Sequence, residues 1–131
     1  MVATIDRFKK RFTLNAMESV VYNMIQIDFK DSTQQIWEQV SEGVERTFLR
    51  SQPGENRVLI KIGAGKAYPH HSHSTPDEVF VVEGAYVDPG IESGRVFGPG
   101  SYLYYPVGTE HQATSPSGCL LLVWNAGVTK S

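Results

Sequence analysis

Three of the four histidines of this chain fall in one hexapeptide, Tyr68-Pro69-His70-His71-Ser72-His73, and an acidic pair, Asp77-Glu78, follows closely. On extended backbone, side chains two residues apart share a face, so His71 and His73 reach one ion while His70 and Ser72 point away. Along the next apolar run Asp77 shares its face with Val79 and Val81, and Glu78 shares the other with Phe80 and Val82, so only one of the two acids reaches that ion. His111 follows Pro106-Val107-Gly108-Thr109-Glu110, a turn-rich approach that delivers it from a neighbouring segment. Two or three imidazoles plus a carboxylate, with positions left for water or substrate, form the ligand set of non-haem iron and catalytic zinc sites. The chemistry expected here is that of one divalent transition metal ion acting as a reactive centre. An isolated His-x-His is more often a polar surface loop, so the elements around it have to decide.

Those elements read as strands. From Val20 onward the chain runs in short stretches of Val, Ile, Leu, Tyr and Phe, punctuated by Gly, Pro, Asn and Asp. The pattern predicts strands at Val20–Ile27, Val44–Arg50, Arg57–Ile62, Glu78–Glu83, Tyr86–Asp88, Arg95–Phe97, Ser101–Tyr105 and Cys119–Trp124. Many short strands with almost no room for crossover helices predict an all-β antiparallel sandwich or barrel. Ile5, Phe8 and Phe12, spaced by three and four, predict a short amphipathic helix or irregular arm at the amino terminus. Gly65, Gly84, Gly100 and Gly108 read as backbone devices at turns, and Pro106 as a stiffener of the turn before His111. Cys119 reads as a buried small hydrophobe, and Trp37 and Trp124 as core or interface anchors. Among Tyr102, Tyr104 and Tyr105, one or two line a pocket or pack on a half-buried sheet, and His70 either supports a ligand from behind or is solvated.

Length and composition close off other classes. With 131 residues the chain is read as one domain, 1–131. A net charge of -2 without a basic patch beyond Lys9-Lys10-Arg11 argues against nucleic acid as a partner. No apolar run approaches the roughly 20 residues that span a bilayer, so no membrane partner is expected. A single cysteine and an amino terminus without a signal-peptide pattern make the cytoplasm the expected location.

The spacing of these residues resembles the two sequence motifs of the cupins. The first appears as Gly65, His71, His73, Asp77 and Gly84, with aspartate where the family usually has glutamate; the second appears as Gly100, Pro106, Gly108 and His111, with Ser115 in the usual asparagine position. Gly43-Val44-Glu45-Arg46, the run from Asp77 to Gly84, and Ser117-Gly118-Cys119 are similar to one cupin branch. That branch holds the metal-binding domain of ChrR-type anti-sigma factors and small dioxygenases resembling acetylacetone dioxygenase. The likeness covers about residues 37–125. It implies a jelly-roll β-barrel, a metal near one mouth held by His71, His73, Asp77 and His111, and assembly as a homodimer. The frame fixed by Gly84 selects Asp77; a forward count of four residues selects Glu78 instead, and the short aspartate side chain leaves a three-histidine site as the third arrangement.

Three functions follow from the resemblance. The first is a mononuclear non-haem Fe(II) dioxygenase that cleaves a carbon–carbon bond of a small diketone or hydroxyaryl ketone with O2. The second is a zinc-binding sensor of the ChrR kind, disfavoured by the short segment before Trp37. The third is a non-redox cupin, an isomerase or ligand-binding barrel. Fe(II) is the expected working metal, with zinc or nickel as the metal carried on purification.

Overall fold

The computed structural model describes residues 25–125, and within them the chain is almost entirely strand. A single 3-10 turn, Ser32–Gln34, is the one helical element among the described residues, and Asp31 caps it by accepting from the Thr33 amide at 2.8 Å. No helix among them is long and apolar enough to cross a membrane. Twelve strands follow: β1 Glu38–Ser41, β2 Val44–Gln52, β3 Glu55–Ile62, β4 Lys66–Ala67, β5 His71–Ser72, β6 Asp77–Gly84, β7 Tyr86–Val87, β8 Val96–Phe97, β9 Tyr102–Tyr105, β10 Glu110–His111, β11 Thr114–Ser115 and β12 Cys119–Asn125.

They form a six-stranded antiparallel sheet in the order β1-β2-β3-β12-β6-β9, a four-stranded sheet β4-β11-β7-β8, and a two-stranded ribbon β10-β5. Alternation decides which side chains meet. Val58 and Ile62 of β3, Val79 and Val81 of β6, Leu103 and Tyr105 of β9, and Leu121 and Val123 of β12 all turn inward, where Tyr86, Tyr68 and Ala113 complete one core. The opposite side of the large sheet carries Leu59, Phe80, Leu122 and Trp124. β6 and β12 are near-continuous apolar runs because both of their faces carry weight. Gly84 ends β6 at φ +82°, where a Cβ would stand 2.1 Å from the Gly118 carbonyl oxygen, so the turn into β7 admits only glycine. The other motif glycines, Gly65, Gly100 and Gly108, also have positive φ.

Seven of the predicted strands appear, most within one to three residues of their expected ends. Of the predicted strand Val20–Ile27 only residues 25–27 are described; they are not in a strand, and Ile25 and Ile27 are 75% and 88% exposed. Alternating Ile residues announce a face to bury, but a strand also needs a neighbour to pair with, and this segment has none among the described residues. The remainder of that segment and the predicted amino-terminal helix lie outside the described residues. Trp37 and Trp124 are not in the core. Both are half-buried, with the Lys61 ammonium 4.3 Å above the Trp37 ring centroid and the Arg57 guanidinium 5.9 Å from that of Trp124.

Candidate metal centre

The ribbon β5–β10 places two of the histidines directly opposite one another, His71 against His111, in an antiparallel register. The ladder continues past the ribbon: the His73 amide donates to the Thr109 carbonyl and the Gly108 amide donates to the His73 carbonyl, each at 3.0 Å. His73 is thereby locked opposite Thr109, on the same face as His71 and His111. Asp77, the first residue of β6, comes in from the neighbouring sheet. The ligand-type atoms of His71, His73, Asp77 and His111 all lie within 4.8 Å of one another, with His73 and His111 buried.

The hydrogen bonds behind the rings fix which nitrogens face inward. His71 Nδ1 lies 3.0 Å from the Pro69 carbonyl oxygen, which can only accept, so this nitrogen carries the proton. Thr109 gives its hydroxyl proton to the Pro106 carbonyl at 2.8 Å and must therefore accept from His73 Nδ1 at 2.7 Å. In its neutral form each ring therefore presents an unprotonated Nε2, and these two nitrogens stand 3.2 Å apart. Two lone pairs at that distance repel unless a proton or a cation lies between them. Asp77 Oδ2 adds a third electron-rich atom 3.1 Å from His73 Nε2. Two nitrogens each about 2.1 Å from one ion lie roughly 3.0 to 3.4 Å apart for angles between square and tetrahedral, so the observed spacing suits a metal ion. The donor chemistry and the spacing together make the cluster compatible with one.

His111 is held from its other side. Its Nδ1 is 3.4 Å from Asp88 Oδ2, without hydrogen-bond alignment, which leaves a buried ring nitrogen aimed at a buried carboxylate. Asp88 in turn accepts from the Gly90 amide at 2.9 Å and from the Tyr105 hydroxyl at 2.8 Å. Having spent its proton on Asp88, Tyr105 accepts from Tyr86 at 2.7 Å. Tyr105 also stacks on His111, with ring centroids 4.1 Å apart. Tyr86, Tyr105 and Asp88 thus form a hydrogen-bonded chain that ends with a carboxylate beside the His111 ring.

Electrostatics follow from burial. Burial pushes the His111 imidazolium down to about 4, helped by His71 and His73 and opposed by Asp88. It lowers His73 as well, again with His71 adding to the effect. At neutral pH these rings are uncharged and hold lone pairs, which is the form a metal requires. Burial raises the Asp77 carboxyl to about 6, with His71 working against the shift. Burial also raises the Tyr105 hydroxyl, which keeps it a proton donor to Asp88.

Beside the cluster lies a cavity of about 40 Å³, lined by His71, Asp77 and His111 and by apolar side chains of β3, β6 and β12. By volume it holds about three water molecules. Glu78 is outside it, on the opposite face of β6, where the Tyr102 hydroxyl donates to its Oε1 at 2.7 Å. His70 also stays outside, exposed and 3.7 Å from Glu110 Oε1. Tyr102 and Tyr104 face outward, 55% and 53% exposed, and only Tyr105 of the three turns toward the site. The sequence reading did not single out Asp88, Thr109, Tyr68 or Arg46 for the site. Asp88 sits in Asp88-Pro89-Gly90 and reads as an ordinary turn former, a role it also performs through Gly90. For Arg46 a signal was available: it interrupts the alternation Val44-x-Arg46-x-Phe48 on an inward face.

Comparison with known proteins agrees with this architecture. The sequence model of the ChrR cupin-like domain matches residues 26–129. Among solved structures, an RmlC-like cupin from Shewanella frigidimarina NCIMB 400 superposes with a TM-score of 0.71 at 22% identity, over 80% of this chain and 95% of that one. A candidate acetylacetone dioxygenase from Methylibium petroleiphilum PM1 gives 0.69 at 18% identity, over 79% and 78%. A chain of the Rhodobacter sphaeroides complex of SigE with the anti-sigma ChrR gives 0.60 at 24% identity, over 68% of this chain and 47% of that one. At these identities the structural likeness is one of fold. No curated protein matches significantly.

Proposed function

Since the chain belongs to the ChrR cupin-like family and has the cupin jelly-roll fold, we propose that it is a mononuclear metal-dependent enzyme, a non-haem Fe(II) dioxygenase acting on a small diketone or hydroxyaryl ketone. The observation that carries this reading is the approach of His71 Nε2 and His73 Nε2 to 3.2 Å, with Asp77 3.1 Å from His73 and with His71, Asp77 and His111 lining one cavity. His71, His73, Asp77 and His111 would hold the ion. When bound, Fe(II) supplies Lewis acidity and the single-electron chemistry that allows O2 to react with an organic molecule. The reaction would break one carbon–carbon bond and place both oxygen atoms in the two fragments.

The remaining work belongs to the chain. Pro69 and Thr109 hold two imidazoles in the tautomer that faces inward, and Asp88 aims the third. The apolar walls exclude bulk water, and the small volume selects a small substrate. The outward face of the six-stranded sheet, with Phe80, Leu122 and Trp124 beside the exposed Tyr102 and Tyr104, is assigned to a second copy of the chain. Sedimentation giving a monomer at all concentrations would remove that assignment.

The enzymatic reading is tested by loading metal-free protein anaerobically with Fe(II) and measuring O2 uptake on a panel of diketones. Uptake matched one-to-one by cleavage products is the expected result. An Fe(II)-loaded protein that consumes no O2 on any of them, while Zn(II) binds tightly, would favour the second reading, a zinc-binding sensory cupin. The family match itself is what keeps that second reading in view.

A further inference from the structure

The backbone is already paired before it reaches the histidine segment: the Tyr68 amide donates to the Ala113 carbonyl at 2.8 Å. That bond lies between the β4–β11 pairing and the β5–β10 ribbon, so Tyr68 is held in the same ladder that sets His71 opposite His111. Its side chain is buried and lines the cavity together with His71, Asp77 and His111. The ring stands edge-on to His71, with centroids 5.5 Å apart. A phenylalanine would bury the same ring there, so the hydroxyl needs its own explanation.

That hydroxyl accepts from Arg46 Nη1 at 3.1 Å. Arg46 is itself an anchored group, with Nε donating to Glu38 Oε2 at 2.6 Å and the guanidinium 5.3 Å from the Phe48 ring centroid. A side chain held in this way serves as a fixed mount for the phenol. A phenol that accepts still has one proton to donate, and that proton turns away from the cation. No acceptor for it stands among the described residues. Two other polar side chains of the cavity wall are engaged: Tyr86 donates to Tyr105, and Asn125 accepts from Asn56 at 2.9 Å. A buried donor without an acceptor costs free energy, and an oxygen of a bound molecule removes that cost.

We propose that Tyr68 is the substrate-orienting residue of the cavity: its hydroxyl, mounted on Arg46, donates a hydrogen bond to one oxygen of a bound small diketone. The aliphatic walls contributed by β3, β6 and β12 offer no side-chain donor of their own, so the diketone lies the way round that sets an oxygen against Tyr68. This rests on the reading of the cavity as the diketone site of a metal-dependent cupin, and it names the residue that orients the substrate within that reading.

The test is calorimetric titration of acetylacetone and, separately, of azide into the Co(II)-loaded full chain and its Tyr68→Phe variant, with metal content measured in both. Azide reports the ion alone, whereas acetylacetone reports the ion and the hydroxyl together. In Tyr68→Phe acetylacetone should bind about three- to tenfold more weakly, the loss of one neutral hydrogen bond, while azide affinity and metal content stay within about twofold of the wild type. Equal acetylacetone affinity in the two proteins overturns the proposal and leaves the diketone reading standing. Parallel losses for acetylacetone and azide also overturn it, because they show a hydroxyl that supports the metal centre rather than the substrate. If the variant does not fold, a crystal structure of the wild-type Co(II) protein with acetylacetone decides. A ligand oxygen about 2.5–3.0 Å from the Tyr68 hydroxyl oxygen supports the proposal, and one beyond hydrogen-bond reach overturns it. Wild-type protein that binds no acetylacetone, with or without metal, overturns the diketone reading and the proposal with it. Selective weakening in Tyr68→Phe upholds the proposal even where the Fe(II)-loaded protein consumes no O2, a result that would count against the dioxygenase reading alone.

Discussion

At the scale of single residues, the centre depends on which atoms are free to donate electrons. Asp77 stands 3.1 Å from His73 Nε2, whereas Glu78, one residue on, is held by Tyr102 on the other side of the strand. Asp77→Ala should therefore lower metal affinity by more than about 100-fold and Glu78→Ala by less than about threefold, read by competition with a chromophoric chelator. Equal losses in the two variants would remove Asp77 from the ligand set. Asp88 acts one step further out. Asp88→Ala leaves the Tyr105 hydroxyl without its acceptor and His111 without its carboxylate, and affinity should fall by about 10 to 100-fold. Asp88→Asn, which keeps one accepting oxygen, should recover part of the loss. Wild-type affinity in Asp88→Ala would show that stacking on Tyr105 alone orients His111.

At the scale of elements, the turns carry more constraint than the strands they join. Gly84→Ala sets a methyl group against the Gly118 carbonyl and the Cys119 Cα, both backbone atoms that cannot step aside. Urea unfolding should show a loss of about 4 kcal/mol or more. Gly100→Ala meets nothing within 4 Å and bears only its positive φ, a cost of about 1–2 kcal/mol. Comparable losses would mean that the β6–β7 turn relaxes. The same contrast explains what the sequence revealed. His71 and His73 were legible because period-two spacing survives in any extended segment, and His111 because a Pro-Gly turn precedes it. Asp88 and Thr109 were not, because each meets its histidine only when a segment distant in sequence packs against it: Thr109 against His73, Asp88 against His111. The strands β4, β5, β10 and β11, at two residues each, are too short to show any alternation.

At the scale of the whole molecule, packing around buried hydroxyl and thiol groups sets the alkaline limit. Burial raises the Tyr86 phenol far above its ordinary 10.0 and the Cys119 thiol above 9.0. In the unfolded chain both lose their protons near those ordinary values, so the unfolded state ionises first as pH rises. Stability from these groups is whole below about pH 9 and drains away as pH climbs beyond it. The urea midpoint should fall between about pH 9 and pH 11, and Tyr86→Phe should flatten part of that slope. A midpoint independent of pH across that range would contradict the burial of both groups. The β5–β10 ribbon bears on the molecule differently. It brings two of the histidines together through a single strand pairing of two residue pairs and belongs to neither large sheet. A metal ion joined to both of its strands would act there as a clasp, so amide hydrogen–deuterium exchange should slow on metal addition at His73 and Gly108 far more than in β3 or β12. The ribbon would then report occupancy of the centre, and uniform slowing throughout the chain would show that it has no separate freedom to lose.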